Sequence, residues 1–124
     1  MIIGVGTDII EIGRVKRALL HTRFRERVYT EKERSYCESR GAQEAASFAA
    51  RFAGKEAVMK AFGTDLRHGV FSDIEILPDV NGCPKVTLTN YFAKLAAARH
   101  VSKIHVSLSH ARDYATADCV LEVL

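Results

Sequence analysis

The spacing of apolar residues along the chain predicts an ordered series of strands and helices. Residues 1–10, MIIGVGTDII, are mostly apolar and β-branched, which predicts a short buried strand that breaks at residues 6–8. Residues 13–22 carry apolar side chains at helical spacing and predict a short amphipathic helix. Thr30 and Glu33 form the sequence of a capping box, so a helix is predicted to begin there and to end near Gly41.

The longest predicted helix runs from about residue 42 to residue 62. It ends at Gly63, a residue type that is common just after helix C-termini. Its interior Gly54 costs about 1 kcal/mol relative to alanine. That cost indicates either that another element packs close to Gly54 or that the chain simply tolerates it.

The second half of the chain contains mostly alternating segments, which are typical of strands. Two of them flank Asn81-Gly82 and predict a β-hairpin whose loop can exceed two residues. The predicted elements here are strands 72–77 and 85–89, a helix over 90–100 with Tyr91, Leu95 and Ala98 inward, and strands 103–109 and 114–123. Helices lie before and between antiparallel strands, so the fold class is α+β, with one compact domain over residues 1–124.

Composition and charge narrow the choice of partners. The chain is 48% hydrophobic and 27% charged with a net charge of +3, the balance of an ordinary globular protein. Residues 14–27 nevertheless hold six basic residues against one acidic residue. A positive segment of this kind attracts nucleic acid, an anionic membrane surface or an acidic protein, although a solvated helix face is the commoner explanation.

The cysteines and the N-terminal residues indicate the cellular compartment in which the protein is expected. Three widely spaced cysteines without a CxxC pair argue against a disulfide framework or a zinc knuckle and fit a reducing cytosol. Residues 1–4 lack the basic region of a signal peptide, and no apolar run is long enough to span a bilayer. We therefore expect a cytoplasmic protein with no membrane insertion.

Charged residues on the long helix are the first candidates for chemistry. Glu56 lies among Arg51, Lys55 and Lys60, a set that suits a divalent cation on the glutamate and phosphates on the cations. Ordinary ion pairs along a surface helix explain the same residues equally well. Asp8 at the end of the first strand is either a metal ligand or a turn cap.

The histidines and serines give weaker signals. His100, His105 and His110 are five residues apart and share no helix face, so a tri-histidine zinc site is weakly supported. Ser109 and His110 are adjacent and no GxSxG sequence is present, which argues against a hydrolase triad.

Three segments in this order resemble the holo-acyl-carrier-protein synthases, the small bacterial 4'-phosphopantetheinyl transferases. They are GVGTDIIEI at residues 4–12, RFAGKEAVMKA at residues 51–61 and VSLSH at residues 106–110. Each segment alone is weak evidence, but their order and spacing across the whole chain are highly specific. The resemblance implies a phosphopantetheinyl transferase-like fold with an antiparallel sheet packed against helices.

The resemblance also implies an activity. Such an enzyme transfers 4'-phosphopantetheine from coenzyme A to a serine of apo-acyl carrier protein and releases adenosine 3',5'-bisphosphate, in fatty acid biosynthesis. It uses Mg2+ and forms a homotrimer whose active sites lie between subunits. The base that activates the serine stays open between Glu56 and a metal-bound water that Glu56 orients.

Site residues follow from the resemblance by position. The expected metal ligands are Asp8 and Glu56, which with Lys60 are also the expected catalytic residues. The coenzyme A residues are Arg51, Lys60, Gly63, Thr64 and His110, and the carrier-protein residues are Arg14, Lys16, Arg17 and Arg23. Leu19, Leu20 and Phe24 are candidates for apolar contacts beside those cations unless they belong to the core.

Three positions depart from the family pattern. Asp65 stands where a second glycine is common, Gly54 where alanine is usual, and Cys83 where a basic residue is common. None of them coincides with the metal pair. The competing hypothesis is a small nucleic-acid-binding module, which predicts aromatic residues interleaved with the cations for base stacking, yet only Phe24 lies within residues 14–27.

Overall fold

Helices and strands alternate along the chain in the computed structural model, which describes residues 1–66 and 68–124. The first half holds one strand and four helices: β1 (Ile2–Glu11), α1 (Ile12–Ala18), α2 (Thr22–Val28), α3 (Glu31–Glu38) and α4 (Glu44–Phe62). The second half holds β2 (Ile74–Pro78), β3 (Pro84–Leu88), α5 (Asn90–Ala98), β4 (Lys103–His110) and β5 (Tyr114–Glu122). This order confirms the predicted α+β class.

The strands form two antiparallel sheets. One has three strands in the order β1-β5-β4, and the other is the β2-β3 hairpin. Residues 79–83 connect the hairpin, so its loop exceeds two residues as expected, with Gly82 at φ 83°. Helix α4 packs against β1, β5, β4 and β2 and so forms the centre of the molecule.

Helix α4 ends where the sequence predicts. Gly63 adopts a left-handed conformation with φ 70°, and its backbone N–H donates to the Lys60 carbonyl. The helix is buried on almost every side because its residues contribute to two hydrophobic clusters, one with the sheets and one with α1 and α3. Gly54 is one of the close contacts, since a Cβ there would lie 2.6 Å from Ile76 Cδ1.

Several sequence-based expectations fail, beginning with those for β1 and α5. Strand β1 does not break at residues 6–8, because β5 pairs with it continuously as far as Glu11. It is not a buried strand either, since Val5 and Ile9 are 65% and 63% exposed. In α5 the fully buried residue is Phe92, whereas Ala98 is exposed.

The predicted helix over residues 13–22 is in fact two helices. Helix α1 ends at Ala18, and α2, which the sequence analysis missed, begins at Thr22. The bend is held by Arg25, whose Nε donates to the Leu19 carbonyl at 2.8 Å and whose Nη1 lies 2.6 Å from Glu38 Oε2. These are tertiary contacts, so the periodicity of α1 and α2 does not show them.

A buried ion pair connects α4 to α3 and β2. Lys55 Nζ lies 2.7 Å from Glu33 Oε1, and both side chains are fully buried. The ammonium also donates to the carbonyls of Ile74 and Phe71, and Glu33 Oε2 accepts from the Ile76 N–H at 2.8 Å. Burial lowers the pKa of Lys55, while the Glu33 carboxylate opposes that change. Every charged group of the pair therefore has partners, as a buried pair requires.

The contact between β1 and α4 predicts the effect of Gly6→Ala. A Cβ at Gly6 would overlap the Ala57 carbonyl oxygen, and neither backbone can move without shifting its element. We expect a loss of about 2–4 kcal/mol in the free energy of unfolding, measured by urea denaturation. The matched control is Gly13→Ala in α1, where the nearest atom is a flexible arginine nitrogen at 3.5 Å, so stability should stay equal or rise by up to about 1 kcal/mol. Equal stability of the two variants would contradict the close approach.

Candidate functional site

The packing of β1 on α4 brings Asp8 and Lys60 into contact. Gly4 and Gly6 lie directly against the α4 backbone at Ala61 and Ala57, so β1 approaches the helix without intervening side chains. Asp8 is the next residue on the same face of the strand. Its Oδ1 lies 3.1 Å from Lys60 Nζ, which also donates to the Thr7 carbonyl at 3.0 Å.

Glu56 completes a cluster of two carboxylates and one ammonium. It lies one helical turn before Lys60 on α4 and is half-buried. Burial raises the pKa of Glu56, the nearby Asp8 carboxylate raises it further, and the Lys60 ammonium lowers it. The structure thus brings together Asp8 and Glu56, which are 48 residues apart in the sequence.

The chemistry of this cluster fits a hard divalent cation. Magnesium in proteins is commonly held by one or two carboxylates, with water and substrate phosphates in the remaining positions. Asp8 and Glu56 supply two oxygen ligand groups, and burial together with the Asp8 carboxylate raises the pKa of Glu56. The described residues contain no cluster of three or more histidine, cysteine, aspartate or glutamate side chains, so a metal here would depend on other ligands.

The C-terminal end of α4 provides space beside the carboxylates. A depression of about 450 Å³ is lined by Glu56, Met59, Thr64, Asp65 and Leu66. Gly63 and Thr64 also line a smaller depression of about 330 Å³ with Asp65 and His68. Of the predicted residues, Thr64 therefore shares a depression with Glu56, and Gly63 lines the neighbouring one.

Two other predicted residues lie on a different side of α4. Arg51 is buried and donates to the carbonyls of Ile76 and Ser47 at 3.0 and 3.2 Å. With His110 it lines a depression of about 270 Å³ that Glu56 and Thr64 do not border. Within this chain, the described residues therefore do not bring Arg51 and His110 to the Asp8 cluster.

The sequence analysis missed two residues of this second depression. Tyr36 and Arg40 on the α3 side line it as well, and the Arg51 guanidinium lies 4.7 Å from the centre of the Tyr36 ring. Tyr36 lies on α3 and Arg40 follows the end of that helix, and nothing in the sequence shows that either residue meets α4. For Lys55 the sequence analysis left two possibilities, a cation that holds phosphate and a member of an ordinary ion pair. The structure shows Lys55 fully buried in a pair with Glu33.

The cations expected to bind a carrier protein are exposed. Arg14, Lys16, Arg17 and Arg23 all reach the surface of α1 and α2. Of the three apolar candidates, Leu19 belongs to the core, Leu20 is 83% exposed and Phe24 is half-buried. Beside them runs a mainly apolar groove of about 1090 Å³, lined in part by Phe24, Phe52, Leu66 and Phe71.

The remaining sequence signals have structural explanations. His105 lies 2.9 Å from Glu122 on the open face of the sheet. All three cysteines are free thiols, and only Cys83 is exposed. Among the helices described, none is long and apolar enough to cross a membrane.

The pKa of Glu56 can be predicted in three variants. Asp8→Asn removes a negative neighbour and should lower the pKa of Glu56 toward its usual range, whereas Lys60→Met removes the compensating ammonium and should raise it further. Carbon-detected NMR titration of the Glu56 carboxyl group in metal-free protein measures both shifts. Lys94→Met, a change on exposed α5, should leave the Glu56 pKa unchanged. A Glu56 pKa that does not respond to Asp8→Asn would show that the two carboxylates are not neighbours.

Comparisons with known proteins identify the family and match the fold. The model of the 4'-phosphopantetheinyl transferase superfamily matches residues 4–119. A holo-[acyl-carrier-protein] synthase of Ruminiclostridium cellulolyticum is 48% identical over 122 residues, covering 96% of this chain and 91% of that protein. The synthase of Bacillus anthracis, solved in complex with CoA (3',5'-ADP), superposes with a TM-score of 0.83 at 36% identity and covers 100% and 99% of the two chains. That of Neisseria meningitidis gives a TM-score of 0.88 at 32% identity and covers 98% and 99%. The chain is therefore an enzyme of the 4'-phosphopantetheinyl transferase superfamily and belongs with its holo-[acyl-carrier-protein] synthases.

Proposed function

We propose that this protein transfers 4'-phosphopantetheine from coenzyme A to a serine of apo-acyl carrier protein with the help of Mg2+ held by Asp8 and Glu56. The observation that carries the proposal is the cluster of Asp8, Glu56 and Lys60 beside an open depression at the end of α4. Carboxylates for a divalent cation and an ammonium for phosphate are what cleavage of a pyrophosphate bond needs.

The chain's own residues have distinct tasks in this reaction. The serine oxygen attacks the β-phosphorus of coenzyme A, and the bond to the α-phosphate oxygen breaks to release adenosine 3',5'-bisphosphate. A bound Mg2+ would neutralise charge on the phosphate oxygens. Lys60 adds positive charge beside it, and Gly63 and Thr64 line the space in which the phosphates would lie. The serine proton goes to Glu56, or to a water that Glu56 orients.

A nucleic-acid-binding function is less compatible with the structure. Phe24, the aromatic residue among the cations of residues 14–27, packs against Phe52 with ring centres 6.2 Å apart and against Tyr29 at 6.0 Å. A ring engaged in the protein interior is a poor stacking platform for a base. That function also gives no role to Asp8 and Glu56.

The activity can be tested directly in a reconstituted reaction. Wild-type protein with coenzyme A, Mg2+ and apo-acyl carrier protein should add the mass of phosphopantetheine to the carrier protein, as read by mass spectrometry. Asp8→Ala should abolish transfer yet keep the fold, because it removes one of two neighbouring carboxylates and breaks only a partly exposed ion pair. Circular dichroism checks the fold. Full activity of Asp8→Ala would remove Asp8 from the metal site.

We propose a homotrimer with active sites between subunits. The support is the division of the site, since Arg51 and His110 lie on a different side of α4 from Asp8 and Glu56. The edge strand β1 also exposes the apolar residues Ile2, Val5 and Ile9, which a neighbouring subunit would cover. A closed ring with head-to-tail contacts brings two different faces together at each interface.

Mixing two impaired variants tests the proposed division between subunits. Asp8→Ala removes one half of the site, and His110→Ala weakens the other half without touching the core, because His110 is exposed. After dissociation and reassembly, mixed trimers should regain transfer activity above either variant alone, since some interfaces combine two intact halves. Sedimentation should report a trimer throughout. Absence of recovery in verified mixed trimers, or a fully active monomer, would contradict the arrangement.

The cations of α1 and α2 are proposed to bind the acidic carrier protein. Arg14 and Arg17 are three residues apart and share a helix face, with Lys16 and Arg23 exposed nearby. The apolar groove beside them shares Leu66 with the depression at Glu56, so a partner bound there lies close to the carboxylates. An amphipathic acidic helix fits this combination of an apolar groove and a positive rim.

Charge reversal at Arg14 tests whether this surface binds the carrier protein or coenzyme A. Arg14→Glu should raise the KM for carrier protein by about tenfold and leave the KM for coenzyme A within about twofold, because surface charges mainly change the rate of encounter with a charged partner. Added salt should weaken carrier-protein binding by the wild type. The matched control is Lys94→Glu on α5, which should change neither KM. An increase in the coenzyme A KM alone would assign Arg14 to the nucleotide site instead.

We further propose a cytoplasmic enzyme of fatty acid biosynthesis formed by a single domain over residues 1–124. The three free cysteines support a reducing compartment. The common packing of both sheets on α4 supports one domain.

A further inference from the structure

Lys60 contacts the residue that is proposed to bind the metal. Its Nζ lies 3.1 Å from Asp8 Oδ1 and 3.0 Å from the Thr7 carbonyl oxygen, so two of its three N–H donors point to β1. The Asp8 side chain is only 16% exposed, and Lys60 therefore covers one of the few directions from which that carboxylate can be reached.

A divalent cation and this ammonium would compete for the same carboxylate. Lys60 Nζ contacts Asp8 Oδ1, so a metal ion held by this carboxylate would lie close to the ammonium, and two cations that close repel each other. We propose that Lys60 holds Asp8 in the metal-free protein and is displaced when a divalent cation binds, which makes its ammonium available to a phosphate of coenzyme A. This inference rests on the proposed metal site at Asp8 and Glu56.

The position of Lys60 allows the movement. Its side chain is 55% exposed and projects from the last turn of α4, on the same face as Glu56. The depression lined by Glu56 and Thr64 begins beside it. Rotation about side-chain bonds is therefore enough to carry the ammonium from Asp8 to that depression, and no backbone rearrangement is required.

The consequence is a coupling between metal and coenzyme A. Without metal, Lys60 is engaged by Asp8 and contributes less to phosphate binding. With metal, the same ammonium is available, so each ligand should strengthen the binding of the other through Lys60. A lysine that merely touched phosphate would raise coenzyme A affinity equally with and without metal.

Manganese binding in the absence of coenzyme A tests the competition. The free Mn2+ signal in electron paramagnetic resonance gives the Kd for wild type, Lys60→Met, Lys60→Arg and the distant control Lys94→Met. Lys60→Met should bind Mn2+ about three- to tenfold more tightly than wild type, because the competing ammonium is gone. Lys60→Arg keeps a cation on Asp8 and should stay within about twofold of wild type, as should Lys94→Met. A Lys60→Met Kd equal to or weaker than that of wild type overturns the proposal.

Two further measurements complete the test. Calorimetric titration with coenzyme A should show a smaller gain in affinity on adding Mn2+ for Lys60→Met than for wild type, and an equal gain overturns the coupling. Asp8→Asn should lose Mn2+ binding. If Asp8→Asn binds Mn2+ as wild type does, Asp8 is not a metal ligand. The proposed competition between Lys60 and the metal for Asp8 is then overturned as well. If Asp8→Asn loses Mn2+ while Lys60→Met matches wild type, the metal site stands and only the competition is overturned.

Discussion

The direct contact between β1 and α4 is the constraint on which the active site depends. Gly4 and Gly6 allow the strand backbone to lie against the helix backbone, because any Cβ at these positions would overlap carbonyl oxygens of α4. Asp8 follows on the same face and reaches the last turns of the helix, where Glu56 and Lys60 project. A carboxylate on a strand and a carboxylate on a helix can share one cation only if the two backbones approach this closely.

A second contact fixes α4 from another side. The buried pair of Lys55 and Glu33, together with the backbone groups of β2 that bond to it, connects α4 to α3 and the hairpin. Lys55 and Glu56 are neighbours in sequence, so fixing one limits the rotation of the helix that presents the other. Lys55 therefore has a structural role, whereas its neighbour Glu56 is the proposed metal ligand, although both are charged and both lie in the motif of the family.

The division of the site around α4 follows from the size of the helix. One face carries Glu56 and Lys60, while Arg51 lies on another face near Tyr36 and His110. A helix of about 10 Å diameter separates these groups, so a substrate that contacted both, as proposed, would have to extend around it or lie between two subunits. A symmetric assembly meets this requirement with a short chain, and the exposed apolar residues of β1 are consistent with it.

Local signals in the sequence determined most of the secondary structure. The capping box of Thr30 and Glu33 forms with both hydrogen bonds, Gly63 ends α4, and the alternation in β4 and β5 matches their buried and exposed faces. These features depend on residues a few positions apart, so they can be predicted from the sequence. The order of the motifs also determined the family, because it requires no knowledge of contacts.

Only the tertiary structure decided which charged residues belong to the site. Lys55 and Lys60 are alike in sequence context, yet one is fully buried against Glu33 and the other reaches Asp8 at the surface. The adjacency of Asp8 and Glu56 and the open face of β1 likewise depend on segments far apart in the chain. Burial and pairing are set by how whole elements pack, and hydrophobic periodicity reports which face of an element is apolar but not which element covers it.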